Sequence, residues 1–162
     1  AHVQKFGGHD MAAGLSLAAD QFDAFTDAVL QHAQCINPED LTPALRVGAD
    51  AILPEINVDL IQWLQQLEPF GHSNPEPLLR IDATLDQADP IGRTGSHVAL
   101  RLRADGASLR AIWFNAAEWL PRLARGRRVQ VLGVPRENRF RGSVTAELEV
   151  KDMALIAESD PC

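Results

Sequence analysis

In the second half of the chain, apolar and polar residues alternate with a period of two, which is the spacing of a half-buried β-strand. In HVALRLRA, for example, Val98, Leu100 and Leu102 fall on one face. Asp105-Gly106, which follows this segment, is a signal for a tight hairpin. Five segments of this kind predict five strands: LLRIDATLDQ, HVALRLRA, SLRAIWFN, RRVQVLGV and SVTAELEV.

A short helix is predicted between the third and fourth strands, in AAEWLPRLARG, where Pro121 limits its length and Gly126 ends it. Five strands with a helix in that position follow the element order of the OB-fold, a small barrel that binds oligonucleotides and oligosaccharides. A five-stranded barrel without a ligand has the same order. The pattern therefore predicts the fold and leaves the ligand open.

The first 40 residues predict a loop, a short strand and a helix. The strand is Leu15-Ser16-Leu17, and the helix begins after Asp20, a residue type that caps helices well. The helix ends near INPED, because Pro38 disfavours helical geometry at Asn37. Its apolar positions recur at helical spacing and are expected in a core: Phe22, Phe25, Val29 and Ala33.

A second helix is predicted after an extended segment, ALRVGADAIL. Asn57 can cap this helix, and Trp63 is expected at the edge of its apolar face. That face consists of Leu60, Ile61, Leu64 and Leu67. The prolines and glycine of EPFGHSNPEP then make a rigid turn. The chain is thus predicted to be α+β, with a first segment at 1–40, a connector at 41–76 and a barrel domain at 77–158.

The charge of the chain is uneven. The net charge is −7, and residues 1–75 hold two basic residues against ten acidic ones. Residues 93–141, in contrast, hold 11 arginines against three acidic residues, which indicates a surface that meets a polyanion. The alternative is that these arginines pair with acidic residues elsewhere in the chain.

Several arginines stand where a strand of nucleic acid could reach them. They alternate with the apolar residues of the second strand, begin the third strand, or surround Phe140 in PRENRFRG, which is predicted as the loop between the fourth and fifth strands. Arginine binds phosphate through its planar fork, and an aromatic ring can stack on an unpaired base. The candidate DNA-binding residues are Arg101, Arg103, Arg110, Arg136, Arg139, Phe140 and Arg141.

Three aromatic residues could each take one of two roles. Phe140 could plug the end of the barrel instead of stacking on a base. Trp113 and Phe114 fall on opposite faces of the third strand, so that one belongs to the core and the other could be a platform.

The segment FGGHDMAAGL has the composition of a binding-site wall. Gly7 and Gly8 permit close approach and positive φ, so their amides could line an anion. His9 could donate a hydrogen bond to a phosphate oxygen. Gly14 and its alanine neighbours have small side chains or none, so a ligand could lie close to the backbone there. The alternative is a glycine turn with a histidine on the surface.

No complete catalytic or metal site is predicted. The chain shows no nucleophile with a base, no paired histidine ligands and no phosphate-loop lysine. Cys35 and Cys162 form neither a disulfide framework nor a metal-binding pair, and no long apolar run or leader is present, so a cytoplasmic protein without a membrane partner is expected. The glycine motif at the start, without an initiator methionine, is expected of a fragment.

Two motifs resemble those of a known family. FGGHDMAAGLSL resembles the GGHxxAAG signature of the DHH-associated domain in DHH-family phosphoesterases. LEPFGHSNPEP resembles the PFGxxNPEP segment that leads into the OB-fold of the RecJ exonucleases, although His72-Ser73 stands where family members often carry a further glycine. The resemblance runs from Lys5 to about Ala157. It implies a truncated α/β DHH-associated segment followed by a five-stranded OB-fold β-barrel.

The resemblance also implies a function. The parent enzyme would degrade single-stranded DNA from 5′ to 3′ in DNA repair and recombination, with Mn²⁺ or Mg²⁺ held by a DHH domain that this chain lacks. This chain would bind the strand and supply one wall of the cleft, with Gly7, Gly8, His9 and Gly14 facing substrate phosphate. Alone it is expected to be inactive and to bind no metal. The alternatives are a docking module for single-stranded-DNA-binding protein and another DHH-family phosphoesterase.

Overall fold

The computed structural model of the chain describes residues 3–9, 12–37, 41 and 44–156. They form two compact units, which divide between Leu45 and Arg46. The first unit contains an antiparallel hairpin and one helix: β1 (Val3–His9), β2 (Ala12–Leu17) and α1 (Phe22–Ala33). The second unit begins with β3 (Ala49–Asp50), a 3-10 turn (Leu53–Glu55) and α2 (Val58–Gln65).

The rest of the second unit is a closed five-stranded barrel. Its sheet has the order β3-β4-β5-β6-β8-β7, and β7 also pairs with β4, which closes the barrel. Within the barrel β6 and β8 are parallel and the other neighbours are antiparallel. This topology confirms the predicted OB-fold. The strands are β4 (Leu79–Ile91), β5 (His97–Ala104), β6 (Ala107–Trp113), β7 (Arg128–Phe140) and β8 (Ser143–Leu155).

The core of the second unit lies inside the barrel. Leu100 and Leu102 of β5 point inward, as the alternation in the sequence predicts. Leu53 from the 3-10 turn packs in the same apolar cluster. Each fully buried side chain of this size contributes about 1.5–3 kcal/mol through removal of apolar surface from water. The side chains with almost no exposure are Leu53, Ile81, Leu85, Val98, Leu100, Leu102, Val129, Val131 and Leu148.

The helices differ from the prediction in what they bury. Helix α1 has no buried residue, and Phe22 is 59% exposed, so the expected core face is wrong. The physical reason is that one hairpin and one helix offer too little surface to enclose a core. Asp20 lies in the 3-10 turn Ala19–Gln21 and does not cap α1, which begins after Gln21. Asn57 does cap α2, because its Oδ1 accepts a hydrogen bond from the Leu60 amide at 2.9 Å.

Several predicted boundaries were also wrong. β7 continues through PRENRF, so Arg136, Arg139 and Phe140 lie on a strand and only Arg141 and Gly142 form the turn. Both turn residues have positive φ, as a two-residue hairpin turn requires. The segment before residue 10, predicted as loop, is β1. The predicted helix before β7 is a 3-10 helix, Ala117–Arg122, that contains a proline. Among the described residues, no helix is both long and apolar enough to cross a membrane.

Candidate nucleic-acid interface

The outer face of β5 carries two exposed arginines. Arg101 and Arg103 flank the buried Leu102, so they point away from the core. Arg101 donates a long hydrogen bond of 3.5 Å to the Ser108 hydroxyl and has no carboxylate partner among the described residues. Arg103 forms an ion pair with Asp86, with Nε 3.4 Å from Oδ2. Arg101 is therefore the more available of the two for an external anion.

Three other candidate arginines are paired within the barrel. Arg110 of β6 bonds Glu147 of β8 across the parallel strands. Arg139 donates to Glu137, two residues before it, at 2.6 Å. Arg136 is held by carboxylates on both sides. These three arginines are therefore paired with acidic residues of the chain, as the alternative interpretation of the charge pattern predicts.

The pairing around Arg136 is the most extensive. Its two Nη atoms donate in parallel to the two carboxylate oxygens of Glu76, with Nη2 2.8 Å from Oε2, and its Nε donates to Glu149 at 2.8 Å. The bond with Glu76 raises the pKa of Arg136 above its usual range, against the lowering effect of burial. Burial raises the pKa of Glu149, but the hydrogen bonds that it accepts from Lys151 and Arg136 lower this pKa by a larger amount. The net shift is therefore downward.

The NPEP motif explains part of this geometry. The side-chain amide of Asn74 donates to the carbonyl oxygens of Leu67 at 2.8 Å and Pro69 at 3.1 Å, which holds the turn after α2. Glu76 then fastens the turn to β7 through Arg136. Neither His72 nor Ser73 has a positive φ, so this turn does not need the further glycine of the family. Sequence reasoning missed this anchoring role, because the two partners lie 60 residues apart.

Two aromatic side chains are exposed on the barrel. Phe140, at the end of β7, is 64% exposed, and the Arg141 guanidinium lies 5.1 Å from its ring centroid. The alternative that Phe140 plugs the barrel is therefore wrong. Phe114 is 53% exposed and meets the His97 ring edge-on at 5.2 Å, whereas its neighbour Trp113 is buried. The expectation that these neighbours divide between core and surface is confirmed.

The turn at Phe140 lies at the same end of the sheet as the β5–β6 turn. Because β6 and β8 are parallel, their first residues point to the same end. β6 begins after Asp105-Gly106 and β8 begins after Arg141-Gly142. The β5–β6 turn and the Phe140–Arg141 pair thus lie toward the same end of the barrel.

The N-terminal glycine motif forms part of the β1–β2 hairpin, where Gly7 pairs with Gly14, and His9 is exposed. Neither Gly7 nor Gly8 has a positive φ. A Cβ at Gly8 would lie 2.6 Å from the Ala12 carbonyl oxygen, so the close approach there is to the partner strand. The two residues of the motif at 10–11 lie outside the described residues.

The described residues contain no group of three or more histidine, cysteine, aspartate or glutamate side chains placed to hold a metal ion. The divalent ions that the family resemblance implies therefore have no fitting set of ligands in this part of the chain. Cys35, which is exposed, is a free thiol.

A family model described as the RecJ OB domain matches residues 49–152, which is the greater part of the chain. This chain belongs to the RecJ OB domain family. The resemblance drawn from PFGHSNPEP is confirmed by this match, and the matched range includes β3, α2 and nearly all of the RecJ OB barrel.

Known RecJ proteins resemble the chain beyond the barrel. The single-stranded-DNA-specific exonuclease RecJ of Bacillus subtilis is 29% identical over 93% of this chain, and that of Thermus thermophilus is 30% identical over 92%. The chain spans only about a fifth of their length, 19% and 21% respectively. A crystal structure of Thermus thermophilus RecJ in complex with Mn²⁺ superposes with a TM-score of 0.73 at 28% identity, covering 98% of this chain and 22% of that one.

Proposed function

We propose that this chain is the strand-guiding part of a 5′-to-3′ single-stranded-DNA exonuclease of DNA repair and recombination, and that its RecJ OB barrel binds single-stranded DNA. The observation that carries the proposal is the set of exposed side chains on β5 and at the β7–β8 turn that suit a single strand. There Arg101 lacks a carboxylate partner among the described residues, and Phe140 lies exposed beside Arg141. Arginines that contact phosphates and an aromatic ring that stacks on bases are the usual means of binding a single strand without sequence preference.

The candidate residues take different parts in this proposal. Arg101, Arg103 and Arg141 contact phosphates, and Phe140 stacks on a base. Arg110 and Arg139 bond their own carboxylates more closely than Arg103 bonds Asp86, so they contribute less. Arg136 holds the NPEP turn to β7.

The N-terminal hairpin is proposed to face the phosphate of the substrate near the reacting end, with Gly7, Gly8, His9 and Gly14 on that side. The Mn²⁺ or Mg²⁺ ions of the complete enzyme are proposed to bind residues outside the described part of the chain. These ions would polarise the scissile phosphate and activate water. The chain alone is accordingly proposed to bind DNA without cutting it.

The test measures fluorescence anisotropy of a 5′-labelled oligothymidylate titrated with the chain. Phe140→Leu should weaken binding about 5-fold or more, since stacking of one base contributes about 1–3 kcal/mol. Arg101→Gln should weaken binding and reduce its salt dependence, since it removes one phosphate contact. Arg46→Gln serves as the control for loss of one positive charge. Equal affinity of all four proteins would overturn the proposed surface.

Two further measurements separate the alternatives. Incubation of the chain with Mn²⁺ and labelled single strands should release no nucleotides, and robust release would contradict the proposed division of labour. Titration with an acidic peptide tests docking of single-stranded-DNA-binding protein, which requires that the peptide bind more tightly than the oligonucleotide at equal salt concentration.

A further inference from the structure

A groove on the barrel lies beside an irregularity in β4. The pairing of β4 with β5 runs from Leu85–Leu102 directly to Gln87–Arg101, so Asp86 is an extra residue in a β-bulge. An open depression follows the bulge toward the β5–β6 turn. We call it the bulge groove. It is lined by residues 84–86 of β4, residues 103–108 around the β5–β6 turn, and residues 125–126 before β7.

The groove has an arginine on each wall, joined by one carboxylate. Asp86, whose side chain is only 17% exposed, lies 3.4 Å from Arg103 Nε and 3.1 Å from Arg125 Nη2. Both guanidinium groups are largely exposed. One partly buried carboxylate thus holds two arginines in place and leaves most of their N–H groups facing solvent.

More positive charge stands next to the groove. Thr84 pairs with Arg103 on one side and with Arg128 on the other, so these two arginines occupy outward positions one strand away from Thr84. Arg127 and Arg128 are exposed and have no ion pair among the described residues. Two arginines, Arg103 and Arg125, line the groove with two carboxylates, Asp86 and Asp105, and Arg127 and Arg128 add two positive charges beside it.

We propose that the bulge groove is a phosphate-binding subsite for single-stranded DNA, which extends the path of the strand from Arg101 around the outside of β4 to Arg128. This inference rests on the proposed function and adds a subsite that lies outside the arginines around Phe140. Arg101 and Arg103 are two residues apart on one strand, about 7 Å, so the path from the β5 face into the groove is continuous.

The lining favours a sugar–phosphate backbone over an acidic peptide. Thr84 and Ser108 supply hydroxyl groups that can donate to phosphate oxygens, and Gly106 and Gly126 leave the backbone open to close approach. The large apolar residue of the lining, Leu85, is fully buried. The groove therefore exposes no large apolar side chain on which the apolar residues of a peptide could pack; its partly exposed apolar residues are Ala104 and Ala107.

The experiment compares the chain with a triple variant, Arg125→Gln, Arg127→Gln and Arg128→Gln, and with a control of the same charge change at positions that have no part in the proposal, Arg46→Gln, Arg93→Gln and Lys151→Gln. Affinities are measured for short (about 6 nucleotides) and long (about 20 nucleotides) oligothymidylates, because an OB-fold covers about 4–16 nucleotides. The chain and the control should bind the long strand more tightly. The groove variant should bind both lengths with similar affinity.

The salt dependence gives a second readout. Each phosphate contact to a single strand contributes about 0.7 to the slope of log affinity against log salt, so loss of three contacts should lower the slope by about 2. Replacing the same three arginines by lysine should keep both the slope and the length dependence, which separates lost charge from a disturbed fold.

The outcomes distinguish the two proposals. If no oligonucleotide binds to the unmodified chain, the proposed function fails and the subsite with it. If the chain binds DNA and the groove variant keeps its length dependence and salt slope, the subsite alone is overturned. If the variant loses affinity for an acidic peptide and keeps its affinity for DNA, the groove is a protein-docking site and the inference is wrong.

Discussion

The ion pair between Glu76 and Arg136 should stabilise the OB barrel measurably, and Glu76→Gln tests this. The two side chains are only partly exposed, 30% and 41%, and they share two parallel hydrogen bonds. The substitution removes the negative charge of Glu76 and keeps the shape of its side chain. Arg136 then retains only Glu149 as a charged partner.

The expected size lies between two limits. Exposed ion pairs contribute about 0.2–1 kcal/mol, whereas removing one partner of a fully buried pair costs about 3–5 kcal/mol. The exposure of Arg136 allows solvent to screen the pair, so the expected loss is about 1.5 kcal/mol. With a urea dependence of about 1–3 kcal/mol per molar, the midpoint should fall by roughly 0.5–1.5 M.

Urea unfolding followed by tryptophan fluorescence is a suitable assay, because Trp63, Trp113 and Trp119 all lie in the second unit. Arg139→Gln is the matched control. It removes an ion pair of β7 in which the arginine is mostly exposed, and it should cost less than about 0.5 kcal/mol.

A double-mutant cycle isolates the pair itself. The free energies of unfolding of Glu76→Gln, Arg136→Gln and the double variant should give a coupling energy near 1 kcal/mol. Distant, independent sites are additive within about 0.3–0.5 kcal/mol. A coupling inside that range would refute the view that NPEP fastens the turn to the barrel through this pair.

Three further predictions concern packing, pH and the hairpin. Gly133→Ala should destabilise the barrel by about 1–3 kcal/mol in the same urea assay, because its Cβ would lie 2.6 Å from a leucine side chain of β8, whereas Gly71→Ala has open space and should cost little. The pKa of Glu149 is lowered from 4.5 in the folded state, so the Glu149 carboxylate stabilises the fold fully above pH 4.5. This stabilisation is lost as the pH falls through the lower pKa of the folded state. Glu149→Gln should therefore make the free energy of unfolding depend less on pH at acid pH. Gly8→Ala should speed hydrogen exchange in the β1–β2 hairpin, because its Cβ would clash with β2, and Gly7→Ala, which meets nothing within 4 Å, should not.

The strands of the barrel could be predicted from the sequence because the inside of the barrel imposes the alternation. Leu100 and Leu102 face the core while Arg101 faces solvent, and the same rule holds along β5 and the start of β7. Beyond the barrel the rule fails. The last residues of β7 pair with the start of β8 up to Phe140–Ser143, where the side chains are exposed, so no apolar period marks the end of β7 as strand.

The helices show the reverse error. The spacing of Phe22 and Val29 predicts a buried face, and periodicity does report an amphipathic helix. It does not report whether anything covers that face. Within the first unit nothing large enough does, and both side chains remain exposed.

The sequence predicts the excess of positive charge in the barrel but not which arginines form ion pairs. An excess of arginine between residues 93 and 141 is visible in the sequence, but the pairing of each arginine depends on contacts that the fold brings together. Arg110 meets Glu147 because β6 and β8 are parallel neighbours, and Arg103 meets Asp86 because a bulge turns that carboxylate toward it.

These ion pairs determine how well each arginine can bind an external anion. A guanidinium has five N–H donors, and those bonded to a carboxylate are not available to a phosphate, which the carboxylate also repels, so a paired arginine gains less from an external anion. Within the described chain, the arginines of residues 93–141 that have no carboxylate partner are Arg93, Arg101, Arg122, Arg127, Arg128 and Arg141. Of these, Arg101, Arg127 and Arg128 follow the outside of β5 and the start of β7. The positive surface of the barrel is therefore displaced from PRENRFRG, where the sequence concentrates its arginines, toward the bulge groove.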